Sequence, residues 1–367
     1  MALSKIPPAG HAQYAGARNL IINGAMQVAQ RGTSATSLGN GNSGYHTVDR
    51  FRFAEGGTPT YAFTMSQSTT APTGFSNSLK LDCTTEDTSL ASTDALLVEQ
   101  YIEAQNLQHL KYGTTSAESV TLSFWVRSNL TGTYAVWFYQ EDDNRAASKT
   151  YTINSADTWE HKKITLSGDQ TGVIDNNNGA GFRIAWYLAS GTSYTSGTAN
   201  TDWQTLDNTN RAAGLNVNLA SSTSNEWYLT GVQLEVGDTA TDFEHRSYGD
   251  ELRRCQRYYY KIIPGSNASG YASCNSNNTS RSDAICHFPV TMRIIPTAVE
   301  TTGTAADYGC LTAGVNVNCN SVPTFVRASL NTSFVRFPYA SNSVTTGQAG
   351  VIQGKTADSF LAWSAEL

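Results

Sequence analysis

The stretch WYLTGVQLEVGDTATDFEHRS (227–247) runs directly into YGDELRRCQRYYYKI (248–262), and its reading decides the fold. Val232, Leu234 and Val236 alternate with Gln233 and Glu235, the period-2 pattern of a strand with one buried face. Gly237-Asp238 ends that strand as a turn pair. From Tyr248 the period changes. Tyr248, Leu252, Cys255, Tyr259 and Ile262 recur at helical spacing, one stripe of a helix over 248–263. A β-rich region over 19–247 therefore closes on a linker helix, and a second β region over 264–367 begins at Pro264.

Composition agrees. At 367 residues the chain is long enough for two domains. Charged residues are only 15% of it, below the roughly 25% of average soluble domains. Thr, Ser, Asn and Gly fill the difference, and they favour turns and strands over helix interiors. The net charge of −6 speaks against nucleic-acid binding, which needs a basic face to release counterions. Arg253, Arg254, Arg257 and Lys261 form the one local basic run, and they read as a solvated helix face. The six cysteines, Cys83, Cys255, Cys274, Cys286, Cys310 and Cys319, include no CxxC pair. That spacing disfavours zinc and fits free buried thiols, with pairing among the last four as the alternative. The start MALSKIPPAG lacks an apolar core of signal-peptide length, and no run approaches a membrane helix. A soluble chain that neither inserts in a membrane nor uses general secretion is expected.

Residues 1–18 read as an extended arm. In NLIINGAMQVA (19–29), Asn23-Gly24 marks a turn between two short strands. Strands follow at 50–53, 61–65, 78–81, 95–102, 121–127, 134–139 and 182–188. Leu122, Phe124 and Val126 face one way along TLSFWVR, and Trp125 the other. Short strands between polar turns predict an all-β jelly-roll sandwich of about eight strands. No Pro lies between Pro72 and Pro264, and no fixed-period repeat supports a β-helix. Residues 190–225 are polar enough to be surface loops. The second, smaller β-sandwich draws strands from 284–290, 298–300, 324–328, 334–339 and 360–363.

Several phrases resemble bacteriophage virion appendage proteins, mainly tail fibres. NLIINGAMQVAQRGTS (19–34) with DRFRF (49–53) is similar to the opening of their jelly-roll module. TLSFWVRSNLTGTYAV (121–136), YTINSADTWEHKKITLSGDQTG (151–172) and the closing LTGVQLEVGDTATDFEHRSYGDELRRCQRYYYK follow in family order, and FLAWSAEL is similar to the ends of such chains. The resemblance implies a carbohydrate-binding-type jelly roll, a homotrimeric fibre, a place in the virion and a role in host adsorption. Residues 1–18 would then hold other virion proteins, and host surface polysaccharide would be the outer partner. Relatives in the wider jelly-roll group carry a structural calcium. The usual acidic pair before the VQLE-like strand is here Thr230-Gly231, so no metal ligand and no other cofactor is assigned.

Catalytic motifs are scarce. No phosphate-binding GxxxxGK[ST], HExxH or GxSxG occurs, the histidines are scattered, and no enzymatic activity is expected. Glu141-Asp142-Asp143 reads as a hairpin tip before a calcium loop, and Asp175–Asn178 as a turn. Aromatics are the better lead, because sugars present C–H faces that stack on rings. Trp125, Trp137, Tyr139 and Tyr187 lie opposite in parity to the core faces of their strands, and Tyr194 and Trp203 sit in the polar loop region. Each is a candidate glycan contact, although large aromatics also fill cores and subunit interfaces. The Tyr248/Leu252/Cys255/Tyr259/Ile262 stripe is a packing face against its own sandwich or a short trimer seam. The readings left standing are a receptor-binding virion fibre, a structural virion part without ligand such as a capsid fibre, decoration or neck protein, and a polysaccharide depolymerase.

Overall fold

The computed structural model describes residues 18–264 and 269–367. The arm expected over 1–18 lies outside them except for Arg18. The chain divides into two compact units at Tyr248/Gly249. Strands β1 (Ser34–Leu38), β2 (Gly44–Tyr45), β3 (Arg52–Gly56), β4 (Ala62–Ser68), β5 (Ser78–Thr85), β6 (Ala95–Glu103) and β7 (Val120–Ser128) come first in the first unit. They continue with β8 (Gly132–Gln140), β9 (Arg145–Ile153), β10 (Glu160–Leu166), β11 (Ala180–Ser190), β12 (Gln204–Thr205) and β13 (Glu226–Val236). Among the described residues they form two antiparallel sheets, ordered β1-β4-β5-β13-β7-β10 and β12-β9-β8-β11-β6-β3-β2. The chain passes repeatedly from one sheet to the other, as in a jelly roll. More strands appear than the sequence shows, because short edge strands and the polar β9 and β10 carry little hydrophobic alternation.

One core fills the space between the sheets. Leu122, Phe124 and Val126 of β7 meet Phe138, Ile184 and Trp186 from the opposite sheet. The decisive strand β13 contributes twice. Trp227 and Leu229 are buried, and so are Val232 and Leu234, which have the opposite parity. A bulge between Thr230 and Gln233 reconciles them. Gly231 sits there at φ +60°, and a Cβ on it would meet Phe75 at 2.7 Å and Trp125 at 2.9 Å. The bulge turns the strand by one position so that both halves face inward.

Residues 19–29 form no strand pair, contrary to the expectation. Their backbone is held by asparagine side chains instead. Asn23 takes positive φ, its Oδ1 accepts from the Val28 amide at 2.9 Å, and its Nδ2 donates to the Val28 carbonyl at 2.8 Å. The 190–225 region is not all surface: Trp203, Leu219 and Ala220 lie in the main core, where apolar side chains spaced between polar neighbours find partners from distant strands.

The second unit opens with helix α1 (Tyr248–Gln256). The helix expected to Ile263 stops at Gln256, and Tyr259–Ile262 is strand β14, paired with the last strand (Leu361–Ser364) of the unit. The aromatic run YYYKI suits an extended chain, and the FLAWSAEL segment supplies its hydrogen bonds. The expected stripe is therefore split. Cys255 and Tyr259 are buried within the unit, whereas Tyr248 is 57% exposed. Between β14 and the last strand run β15 (Gly270–Asn278), β16 (Arg281–His287), β17 (Tyr308–Thr312), β18 (Val315–Asn318), β19 (Thr324–Ala328), β20 (Thr332–Pro338) and β21 (Ala349–Gly354), and the last strand is β22. Residues 298–300 contribute only an isolated bridge from Glu300 to Ala362. The seven-stranded sheet, ordered β18-β17-β21-β15-β16-β20-β19, buries one face through Cys274, Cys286, Cys310, Val335, Phe337 and Ile352.

Candidate functional site

The seven-stranded sheet of the first unit has two apolar faces. Its inner face joins the main core. Its outer face carries a separate cluster of Ala54, Ala95, Leu97, Ala135, Trp137, Ala146, Ala185, Tyr187 and Ala212. Alanines around two large rings leave a hollow, and the segment after β11 arches over it. Gly191 starts that arch with its amide on the Asp94 carbonyl at 2.8 Å, and a Cβ there would lie 2.0 Å from the Ala91 carbonyl oxygen. Ser148 pins the arch from below: its amide donates to the Asn200 carbonyl at 2.7 Å and its hydroxyl to the Asn210 carbonyl at 2.8 Å.

The result is a cleft of about 120 Å³ lined by Arg52, Glu55, Glu99, Trp137, Arg183, Tyr187, Tyr194 and Arg211. Tyr139 stacks on Trp137 with ring centroids 4.8 Å apart and planes at 14°. The Arg211 guanidinium lies 4.6 Å from the Trp137 centroid and 5.7 Å from that of Tyr194, and Arg183 lies 5.4 Å from Trp137. These are cation–π contacts with desolvated rings. Arg183 donates from Nε to Glu141 at 2.7 Å and stands 3.8 Å from Glu99, which also pairs with Arg52 and accepts from the Tyr101 hydroxyl at 3.1 Å. Burial opposes the charge of Arg183, but Glu99, Tyr101 and Glu141 outweigh it and hold its pKa above the usual value. Burial also pushes the Tyr139 and Tyr187 hydroxyls up, so both stay protonated donors at neutral pH.

Two groups in this wall have unused capacity. Arg211 makes no ion pair among the described residues, and its Nε has no hydrogen-bond partner. Glu55 Oε2 is likewise buried without a partner, although Oε1 accepts from the Gly41 amide. Both atoms are buried, so a sugar hydroxyl reaches them only when the side chains around them move.

The structure brings together four of the six aromatic candidates: Trp137, Tyr139, Tyr187 and Tyr194. Trp125 is elsewhere, on the outer face of the six-stranded sheet, stacked on His161 at 4.9 Å. Trp203 is a core residue at 7% exposure, with its indole donating to the Ser167 carbonyl at 2.9 Å and its ring against Tyr112 and Phe182. It contacts no cleft, because its loop folds inward. Within the cleft, Trp137 and Tyr187 are each only 2% exposed, covered by the arginines. Sequence reasoning missed Arg183, Arg211, Glu55 and Glu99. The alternation of Arg183 with Phe182 and Ile184 was the available signal for the first. Arg211 sits in an irregular loop that carries no period.

Glu141 is drawn to Arg183, while Asp142 and Asp143 accept from the Asp175 amide at 3.0 Å and the Val173 amide at 3.3 Å. The acidic tip thus braces two loops. Gly231 has no side-chain oxygen, and Thr230 Oγ1 donates to the Asn77 carbonyl at 2.7 Å. Among the described residues no group of three or more His, Cys, Asp or Glu is placed to hold a metal.

No family model matches the sequence, and no curated protein does. Solved structures do. The chain is similar to the enzymatically active domain of tailspike protein 4 of bacteriophage CBA120, at 12% identity and a TM-score of 0.31 over 60% of this chain and 22% of that one. It is similar to a family 11 carbohydrate-binding module from Clostridium thermocellum, at 10% identity and a TM-score of 0.29 over 58% of this chain and 99% of the module. The xylan-binding domain of a Paenibacillus barcinonensis protein aligns at 10% identity and a TM-score of 0.25 over 60% of this chain and 96% of that domain.

Proposed function

We propose that this protein is a non-catalytic adhesin of a bacteriophage particle, a homotrimeric fibre that binds host surface glycans through the arched cleft of its first unit. One observation carries the glycan reading: an aromatic and alanine-lined hollow on the sheet face away from the main core, edged by a guanidinium with no carboxylate partner among the described residues and by a carboxylate with one unbonded oxygen. Charged groups beside buried rings cost desolvation, and a few placed polar groups on an apolar lining are what a ligand site needs. The fibre role and trimeric state rest on the resemblance of the sequence blocks. Weak single-site contacts, repeated in three copies, would give useful avidity. The arm at 1–18 would hold the particle.

A glycan array with the full chain tests this, beside Tyr139→Ala and native mass measurement. Binding that the variant weakens supports the reading. A chain that binds no glycan favours a purely structural virion part, and the 2% exposure of Trp137 and Tyr187 points that way. Appearance of new reducing ends on host polysaccharide would restore the depolymerase instead.

A further inference from the structure

The seven-stranded sheet of the second unit buries one face and leaves the other open. On the open face lies a cleft of about 680 Å³, lined by residues that include Tyr260, Tyr271, Asn275, Asp283, His287 and Phe334. Ligand pockets usually fall within roughly 300–1,000 Å³. The strand register builds it. Asn275 of β15 stands opposite Asp283 of β16, and Asp283 opposite Arg336 of β20. One step along, Ile285 stands opposite Phe334, and His287 opposite Thr332. A polar row thus runs beside an apolar one, across three strands.

Each row offers something different. In the polar row Asp283 is buried, accepts from Arg336 Nε at 3.1 Å and receives the Asn277 amide. Its charge is already neutralised. Asn275 and His287 are exposed, and neither side chain makes a hydrogen bond among the described residues. In the apolar row Ile285 is 49% exposed and Phe334 half-buried, with Arg327 4.6 Å from the Phe334 ring centroid. Tyr260 closes one side. It stacks on the buried Trp363 with planes at 16° and centroids 6.0 Å apart, which fixes its ring.

We propose that this cleft is a second saccharide site, selective for a short neutral oligosaccharide. A sugar is amphipathic face by face: its C–H surface suits Phe334, Ile285 and the tyrosines, and its hydroxyl edge suits Asn275, Asn277 and His287. The class follows from charge. The described lining residues include no Lys or Arg to attract a uronate, Arg327 lying against the Phe334 ring at the rim, and the one lining carboxylate is satisfied by Arg336. An apolar ligand would cover the exposed Asn275 amide and leave it without a partner. A peptide strand would need a free sheet edge, whereas this is a sheet face. The inference stands apart from the adhesion reading of the first unit.

The test uses the full chain titrated with a panel of neutral di- and trisaccharides, read by tryptophan emission and calorimetry. Trp363, behind Tyr260, serves as a local reporter. At least one panel member is expected to bind, and Phe334→Ala to weaken it tenfold or more, while Tyr139→Ala in the first unit leaves it unchanged. Asn275→Asp, at an exposed position that leaves packing alone, places a second carboxylate beside Asp283 and is expected to weaken the same ligand with an unaltered melting curve. The proposal is overturned if no panel member responds to either second-unit variant. It is also overturned if these variants change the oligomeric mass without changing saccharide binding, because the face would then be a contact between copies.

Discussion

The guanidinium of Arg211 lies 4.6 Å from the centroid of the Trp137 ring, and no carboxylate pairs with it among the described residues. A guanidinium held against an indole and bonded to the Tyr187 hydroxyl is anchored on two sides and keeps further N–H groups to bond outward. Arg211→Ala is therefore expected to weaken a glycan that binds this cleft by about tenfold, the loss of a contact worth about 1–2 kcal/mol. Melting should fall modestly, since Arg211 covers Trp137 while Ser148 still pins the arch. Calorimetric titration with an array-selected glycan checks this, and undiminished affinity would remove Arg211 from the site.

Asn19 joins the first described residues to the decisive strand. Its Nδ2 donates to the Val232 carbonyl at 3.0 Å, and its Oδ1 accepts from the Ile21 amide at 2.9 Å and the Leu234 amide at 3.1 Å. Asn19→Ala leaves buried backbone groups unpaired at the bulge, a cost of about 2–3 kcal/mol. Gly24→Ala attacks the same joint, because its Cβ would sit 2.1 Å from the Val232 carbonyl oxygen. Both variants are expected to lower the urea midpoint with little change of slope. A midpoint within error of wild type for Asn19→Ala contradicts the argument.

Asn19 also shows why part of the fold was hidden. Leu122, Phe124 and Val126 were legible because a strand with one buried face writes its period into neighbouring residues. Residues 19–29 read as strands from the same apolar content, yet many of their backbone partners are the carboxamides of Asn19, Asn23 and Gln100, a substitution no period reveals. The helix over-extended for a related reason. Tyr259 and Ile262 keep helical spacing with Cys255, but their strand partners Ser364 and Leu361 lie about a hundred residues away. Parity put Trp137, Tyr139 and Tyr187 on the sheet face away from the main core, where Trp137 and Tyr187 are buried in a second cluster. Parity could not tell that Trp125 belongs to the other sheet, because sheet membership is a non-local property.

Asp169 is a buried acceptor for Arg145 Nη2 at 3.0 Å and for the Gln140 amide at 2.7 Å. Burial opposes its charge, but these bonds and the Thr171 and Gly172 amides outweigh it and set its pKa below the ordinary carboxylate value. A depressed folded value means stability that is present above the unfolded pKa of about 3.9 and is lost as pH falls through the folded one. Asp169→Asn leaves Arg145 without its counter-ion and should cost about 3 kcal/mol at pH 7. The gap between the two proteins is expected to narrow below about pH 4, as the wild-type carboxylate protonates. Equal pH dependence of melting for both would show that Asp169 is not a linked group.

All six cysteines are free and buried. Burial, with Asp82 and Glu86, pushes the Cys83 thiol up to about 11, and burial pushes Cys286 and Cys319 up to about 12. Only the thiolate reacts with a disulfide reagent, so at pH 8 both the reactive fraction and access are small for these three. The hydrogen bond from Cys274 pulls the Cys310 thiol down, so slow labelling there rests on burial alone. The folded chain is expected to label slowly, and to release six thiols at once on unfolding in denaturant without reductant. Cys274 and Cys310 are the informative pair, since their sulfurs lie 3.5 Å apart across β21, a spacing without a covalent bond. Four thiols instead of six after unfolding would mean that this pair, or another, is oxidised in the native protein.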